Sequence, residues 1–278
     1  MGGLSRWTSP VRERPDGADD SATTVVYYQS ASGSRRMSVQ RMRLFAGPNG
    51  SGKSTIKAVV APELLGYYLN PDDIERQVND RGYYDVRSTN LSLSEAEIIH
   101  FFEQHPLLAR TQEMDSIYGI RFVQDKFIDF SNVGFNAYSS AILTDFLRQK
   151  FIESRQSFTF EPVMSSPDKL HTLSRAREHG FRNYLYYVAT EDPIINLSRI
   201  RHRVRMGGHA VPETKVPERY YRSLELLLDA IRLSHRAYLF DNSGGSSQWV
   251  AEITGGTTLE LRTDSVPAWV KHYVLDKL

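Results

Sequence analysis

Eight consecutive residues constrain this chain more than any other feature: Gly47-Pro48-Asn49-Gly50-Ser51-Gly52-Lys53-Ser54. Glycines in the spacing G-x-x-x-x-G-K-S let backbone N–H groups turn inward on one centre, and a helix starting after them adds the positive end of its dipole. Polyphosphate oxygens fit such a nest. Lys53 would neutralise the β- and γ-phosphates, while the Ser54 hydroxyl would ligate a magnesium ion shared with them. The flanks suit this reading. Met42, Leu44, Phe45 and Ala46 form an apolar run that stops at glycine, like a buried strand feeding a loop, and residues 54–60 read as a helix ended by Pro62. ATP, with GTP as the alternative, and Mg2+ are therefore the expected ligands.

Beyond the loop, strands and helices alternate. Residues 67–69 read as a strand ending at Asn70, 135–151 as a helix, and 158–160 as a strand ending at Glu161. A helix over 168–179 stops at Gly180, a strand covers 184–188, and a helix over 193–206 stops at Gly207-Gly208. Next come a helix over 218–234 and a strand over 238–240, then short strands near 249–253 and 259–261. This order implies an α/β fold, a P-loop NTPase three-layer sandwich with a mostly parallel central sheet. Residues 1–40, rich in Ser, Gly, Pro, Arg and Asp, are expected to form a tail outside the core. The domain then runs over 41–278 with a largely helical insertion at about 75–133, where Ser94 and Glu97 have the capping-box spacing.

Asn70-Pro71-Asp72-Asp73 comes directly after the second strand. Residues just beyond the carboxyl ends of strands in an open α/β sheet line the ligand crevice, so Asp72 is placed to take the proton of an attacking hydroxyl. The same residue types also cap helices, and the sequence leaves the two roles even. The helix over 193–206 carries Arg199, Arg201, Arg203 and Arg205; the first and third share one face, the second and fourth another. Taken alone, such a run is more often a solvated face. The glycines of Gly207-Gly208-His209-Ala210-Val211-Pro212 raise the other reading, a closing helical lid whose arginines meet a transferring phosphoryl group.

Together these motifs resemble the zeta-toxin family of P-loop kinases. The matches are residues 47–55, Asn70-Pro71-Asp72-Asp73-Ile74, Phe158-Thr159-Phe160-Glu161, the arginines of 199–205, Gly207-Gly208-His209 with Val211-Pro212, Arg219-Tyr220, and Asp241-Asn242-Ser243. They span roughly residues 41 to 245, apart from the insertion. The resemblance implies a phosphotransferase in which Gly47 to Thr55 hold ATP, Lys53 and Ser54 serve phosphate and magnesium, and Asp72 activates the acceptor hydroxyl. Asn70, Asp73, Glu161 and His209 would bind the acceptor, Arg199, Arg203 and Arg205 the phosphates, and Asp241 and Asn242 would lie near the nucleotide base. The family's best-known acceptor is UDP-N-acetylglucosamine, and a relative that acts in plants phosphorylates NAD. A nucleotide sugar or dinucleotide is thus the expected acceptor, and an antitoxin the expected protein partner. Where the family has a threonine pair and Leu-Ser after the glutamate, this chain has Pro162-Val163-Met164-Ser165.

Composition narrows the alternatives. With 34 basic and 33 acidic residues the net charge is +1, so no global field draws nucleic acid or a membrane surface. A competing reading, a nucleic-acid end kinase or RNA-binding P-loop ATPase, would need Arg35, Arg36, Arg41, Arg43 and the later arginine run as its footprint. There is no cysteine, which excludes disulfides, thiolate metal sites and a cysteine nucleophile. No stretch approaches a membrane span or an apolar signal, and the expectation is a soluble, cytoplasmic protein.

Overall fold

The computed structural model describes residues 39–111, 116–207 and 211–278. Residues 1–38 of the expected tail over 1–40, with Arg35 and Arg36, and His209 of the expected lid lie outside the described residues. Strand β1 (Arg41–Ala46) has four apolar side chains, Met42, Leu44, Phe45 and Ala46, with no exposed surface. A strand buried on both faces belongs inside a parallel sheet. β1 is flanked there by two parallel strands, Phe158–Phe160 and Arg182–Ala189. Between β1 and the first of these come α1 (Lys53–Lys57), α2 (Pro62–Leu65), β2 (Tyr67–Leu69), α3 (Pro71–Arg81), β3 (Tyr83–Asp85), α4 (Glu95–Gln104), β4 (Arg121–Val123), β5 (Phe127–Asp129) and α5 (Ala137–Glu153). The remaining elements are β6 (Phe158–Phe160), α6 (Asp168–Glu178), β7 (Arg182–Ala189), α7 (Pro193–Arg205), α8 (Lys215–Glu225), α9 (Leu227–Arg232), β8 (Arg236–Asp241), β9 (Gln248–Thr254), β10 (Thr258–Leu261) and α10 (Ala268–Tyr273).

The main sheet has the order β10-β9-β8-β7-β1-β6-β2. From β8 to β2 all pairs are parallel, and β9 and β10 return antiparallel at one edge. Alternation along β7 shows how the two faces are filled. Leu185, Tyr187 and Ala189 join the large core under α5, α6 and α8 to α10, whereas Tyr184, Tyr186 and Val188 face a smaller cluster with Phe45, Ile56, Val60, Tyr238 and Phe240. Phe45, Tyr186 and Tyr238 stack in series there, with centroids 4.7 and 5.0 Å apart. The three-layer α/β sandwich expected from the alternation is the observed fold.

Three local expectations need correction. The helix expected over 54–60 ends at Lys57, and Pro62 opens α2 instead of only ending a helix, with Ala61 before it extended (φ −57°, ψ 128°), as steric conflict with the proline ring demands. The helix expected over 218–234 is two, α8 and α9, meeting at Leu226. The segment expected to be a largely helical insertion contains the expected helix α4, capped by Ser94 and Glu97 in a reciprocal box, but also an antiparallel sheet, β3-β5-β4. Each of those strands is three residues long, too short to show a period of two in sequence. Ser140 of α5 donates to the Pro71 carbonyl, which ties α5 to the start of α3.

Candidate active site

Chain order makes the site. β1 leads away to β2 on one side and its later neighbour β7 lies on the other, so a crevice opens beyond the carboxyl ends of these strands, and the loop 47–52 fills its centre. Gly50 (φ +76°) and Gly52 (φ +97°) adopt left-handed backbone, and a Cβ at either would collide: with the Asn196 carbonyl oxygen at 2.6 Å and with Asn242 Nδ2 at 2.0 Å. Among the described residues, Asn49 Oδ1 and Ser51 Oγ are buried without a hydrogen-bond partner. Lys53 Nζ, half-buried, donates to the carbonyls of Gly47 and Pro48, both at 3.0 Å. Loss of water lowers its pKa from 10.5 to about 8; the charge of Glu161 opposes that fall, Arg203 deepens it, and Asp72 again opposes it. Three charged groups from three elements therefore act on one lysine.

Glu161, just past β6, accepts from Ser54 Oγ at 3.0 Å and from the Tyr68 hydroxyl at 2.5 Å. Tyr68 in turn accepts from Asn70 Nδ2 at 3.1 Å, and Lys57 Nζ sits 3.7 Å above its ring. Burial raises the Tyr68 pKa and the carboxylate raises it further, so the phenol remains a donor. The sequence reading gave Glu161 to the acceptor; here it stands beside the serine hydroxyl. Asn70 caps α3, its side chain accepting from Asp72 N at 2.9 Å. The cap role belongs to Asn70, which leaves the Asp72 carboxylate exposed and within electrostatic reach of Lys53. Asp73 is paired with Arg76 on the outside of α3.

The arginines of α7 split as their spacing requires. Arg203 acts on Lys53, and Arg199 Nη2 donates to the Gly244 carbonyl at 3.3 Å while its Nη1 is buried without a partner among the described residues. Arg201 makes a bidentate pair with Glu213 at 2.7 and 2.6 Å. Arg205 lines a groove of about 850 Å³ with Arg201, Val204 and Pro212, apart from the charges that act on Lys53. Asp241 accepts from the Trp269 indole at 2.8 Å and from Ser243, and Asn242 Nδ2 donates to the Ser51 carbonyl at 2.7 Å. Thr55 is exposed behind the loop. Sequence reasoning missed Asn196, which is fully buried and donates from Nδ2 to the Asn49 carbonyl at 2.7 Å. Its only signal was position, one turn before the first arginine of the run.

A loop of this composition after the central strand of the sheet's parallel part, with Lys53 and Ser54 at the start of the next helix, defines a P-loop α/β domain. No family model matches the chain. An uncharacterized protein of Haemophilus influenzae is 35% identical over 69 residues, which cover 25% of this chain and 49% of that protein. The chain thus spans about half the length of the curated relative it matches. Among solved structures, AvrRxo1-ORF1:-ORF2 with ATP aligns over 80% of this chain and 60% of the other at 14% identity and a TM-score of 0.49. A chain of the PezAT toxin–antitoxin system of Streptococcus pneumoniae aligns over 77% and 74% at 17% identity and a TM-score of 0.40. Among the described residues no helix is long and apolar enough to cross a membrane.

Proposed function

We propose that this chain is an ATP-dependent small-molecule kinase of the zeta-toxin kind, transferring phosphate to a hydroxyl of a nucleotide sugar resembling UDP-N-acetylglucosamine, or of a dinucleotide. One observation carries the reading: Lys53 on the P-loop feels Asp72, Glu161 and Arg203 together, which brings a base, a carboxylate beside the Ser54 hydroxyl and a cation to one edge of the sheet.

The residues fit ATP and magnesium. Gly50 and Gly52 leave a backbone cradle, and among the described residues Asn49 Oδ1 and Ser51 Oγ are unpartnered polar atoms beside it. Ser54 Oγ and Glu161 form an all-oxygen set of the kind hard cations take. Magnesium, if bound, would be held by the Ser54 hydroxyl and the Glu161 carboxylate and would supply charge neutralisation to the phosphates. Lys53 turns from the Gly47 and Pro48 carbonyls to the phosphates, and Asp72 accepts the proton of the acceptor hydroxyl as its oxygen attacks the γ-phosphorus. The bond from that phosphorus to the bridging oxygen breaks and ADP leaves. Arg203, with Arg199 beside it, stabilises the negative charge spreading over the transferred group.

Incubation with magnesium, ATP and a panel of nucleotide sugars and dinucleotides, with mass detection of an added phosphate, names the acceptor. Asp72→Asn should then cut transfer by about 10²–10⁴-fold, the usual worth of a general base, with nucleotide affinity held within about twofold. Unchanged turnover in that variant would remove Asp72 from the role. An inhibitory partner protein, an antitoxin, accompanies this reading, and growth arrest on expression that a co-expressed partner relieves is its sign.

A further inference from the structure

α7 carries more than arginines. Its first turn is seated on the phosphate loop: Asn196 Nδ2 donates to the Asn49 carbonyl at 2.7 Å, and the Thr190 hydroxyl donates to Asn196 Oδ1, which fixes the amide's orientation. The backbone of Asn196 and the Ile200 side chain lie so close to Gly50 that an added Cβ would stand 2.6 Å from the Asn196 carbonyl oxygen and 3.1 Å from Ile200 Cγ1. Asn196, Ile200 and Arg203 recur at helical spacing, so the face that grips the loop is the face that sends Arg203 toward Lys53.

We propose that Asn196 is a positioning residue that locks the P-loop to the arginine helix, so that phosphate binding and the placement of Arg203 are a single event. This rests on the nucleotide-binding reading above. It also alters the picture of a lid swinging on glycines: the helix bearing Arg199 and Arg203 is bolted to the loop at Asn196. Arg203 is thus held ready before a substrate arrives, and a group fixed in advance avoids reorganisation during the reaction. Asn242 provides the comparison. It grips the same loop at the Ser51 carbonyl, yet it lies just past β8 and carries no arginine helix.

The test is a pair of double-mutant cycles on the affinity of a fluorescent ATP analogue. Asn196→Ala should weaken binding by about tenfold, the cost of unpairing a buried polar contact. Adding Arg203→Ala to it should cost little more than the worse single variant, because the arginine has already lost its placement. Asn242→Ala with Arg203→Ala should instead multiply. Thr190→Val frees the Asn196 amide to rotate without touching the loop, and should show the same coupling at smaller size, which keeps the test decisive if Asn196→Ala does not fold. A multiplicative cycle for Asn196 or, failing its folding, for Thr190 overturns the proposal, as does unchanged affinity in Asn196→Ala. Binding with a multiplicative cycle sinks this inference alone; an unaltered chain that binds no nucleotide sinks both it and the function proposed above.

Discussion

Lys53 is where burial and function conflict most directly. Folding removes part of its water and brings Arg203 near, and both disfavour its charge; Glu161 and Asp72 restore only part of it. A proton that unfolded lysine holds up to its ordinary value of 10.5 is released near 8 in the fold. Between these values the unfolded chain binds more protons, so without nucleotide the fold gains stability as pH rises through that window. Nucleotide reverses the balance, since phosphate oxygens favour the ammonium. At pH 8 binding should therefore take up about half a proton, and at pH 6.5 almost none, because Lys53 is already charged. Calorimetry in two buffers of different ionisation enthalpy reads this directly. Equal heats in both buffers at pH 8 would show that Lys53 is not the group that meets the phosphates.

Among elements, the P-loop and α7 were legible because their chemistry is local: glycine spacing, a lysine and serine at a helix start, and arginines two apart. The clamps were not. Asn196 and Asn242 act through backbone carbonyls of a loop 147 and 191 residues away in sequence, and nothing about an asparagine records which carbonyl it will find. The reading of Asn242 as a neighbour of the nucleotide base came from resemblance, whereas its amide is engaged with Ser51. α4 shows the opposite case, since its capping box is written in four residues and formed as written: Ser94 Oγ accepts from Glu97 N at 3.3 Å and Glu97 Oε2 from Ser94 N at 3.1 Å. Ser94→Ala removes one of these bonds and should cost about 1 kcal/mol. Lys150 of α5 pairs with the same Glu97 at 2.6 Å, so the loss should spread to the packing of α4 on α5. Urea unfolding measures the first effect and amide exchange across 95–104 the second; unchanged protection there would confine the cap to its own turn.

At the scale of the molecule, the sheet order explains why so few residues define the site, and the same architecture bears on the two readings the sequence left open. A nucleic-acid end kinase needs a continuous cationic path to the P-loop. Arg43 is 2% exposed and sits within the sheet over the Tyr184 ring, 5.3 Å from its centroid. Arg201 is engaged with Glu213, and the net charge of the whole chain is only +1. A sheet strand cannot lend its buried arginine to a phosphate backbone without dismantling the core, so Arg43 drops out of the footprint. Four arginine contacts to a single-stranded nucleic acid would release counterions with a slope of about −3 in log affinity against log salt, at roughly 0.7 per contact. The slope expected here is shallower than about −1, with oligonucleotide ends leaving ATP turnover unchanged. A slope near −3 together with stimulated turnover would overturn the small-molecule reading, because only a phosphate backbone, and not a nucleotide sugar, engages that many cations at once.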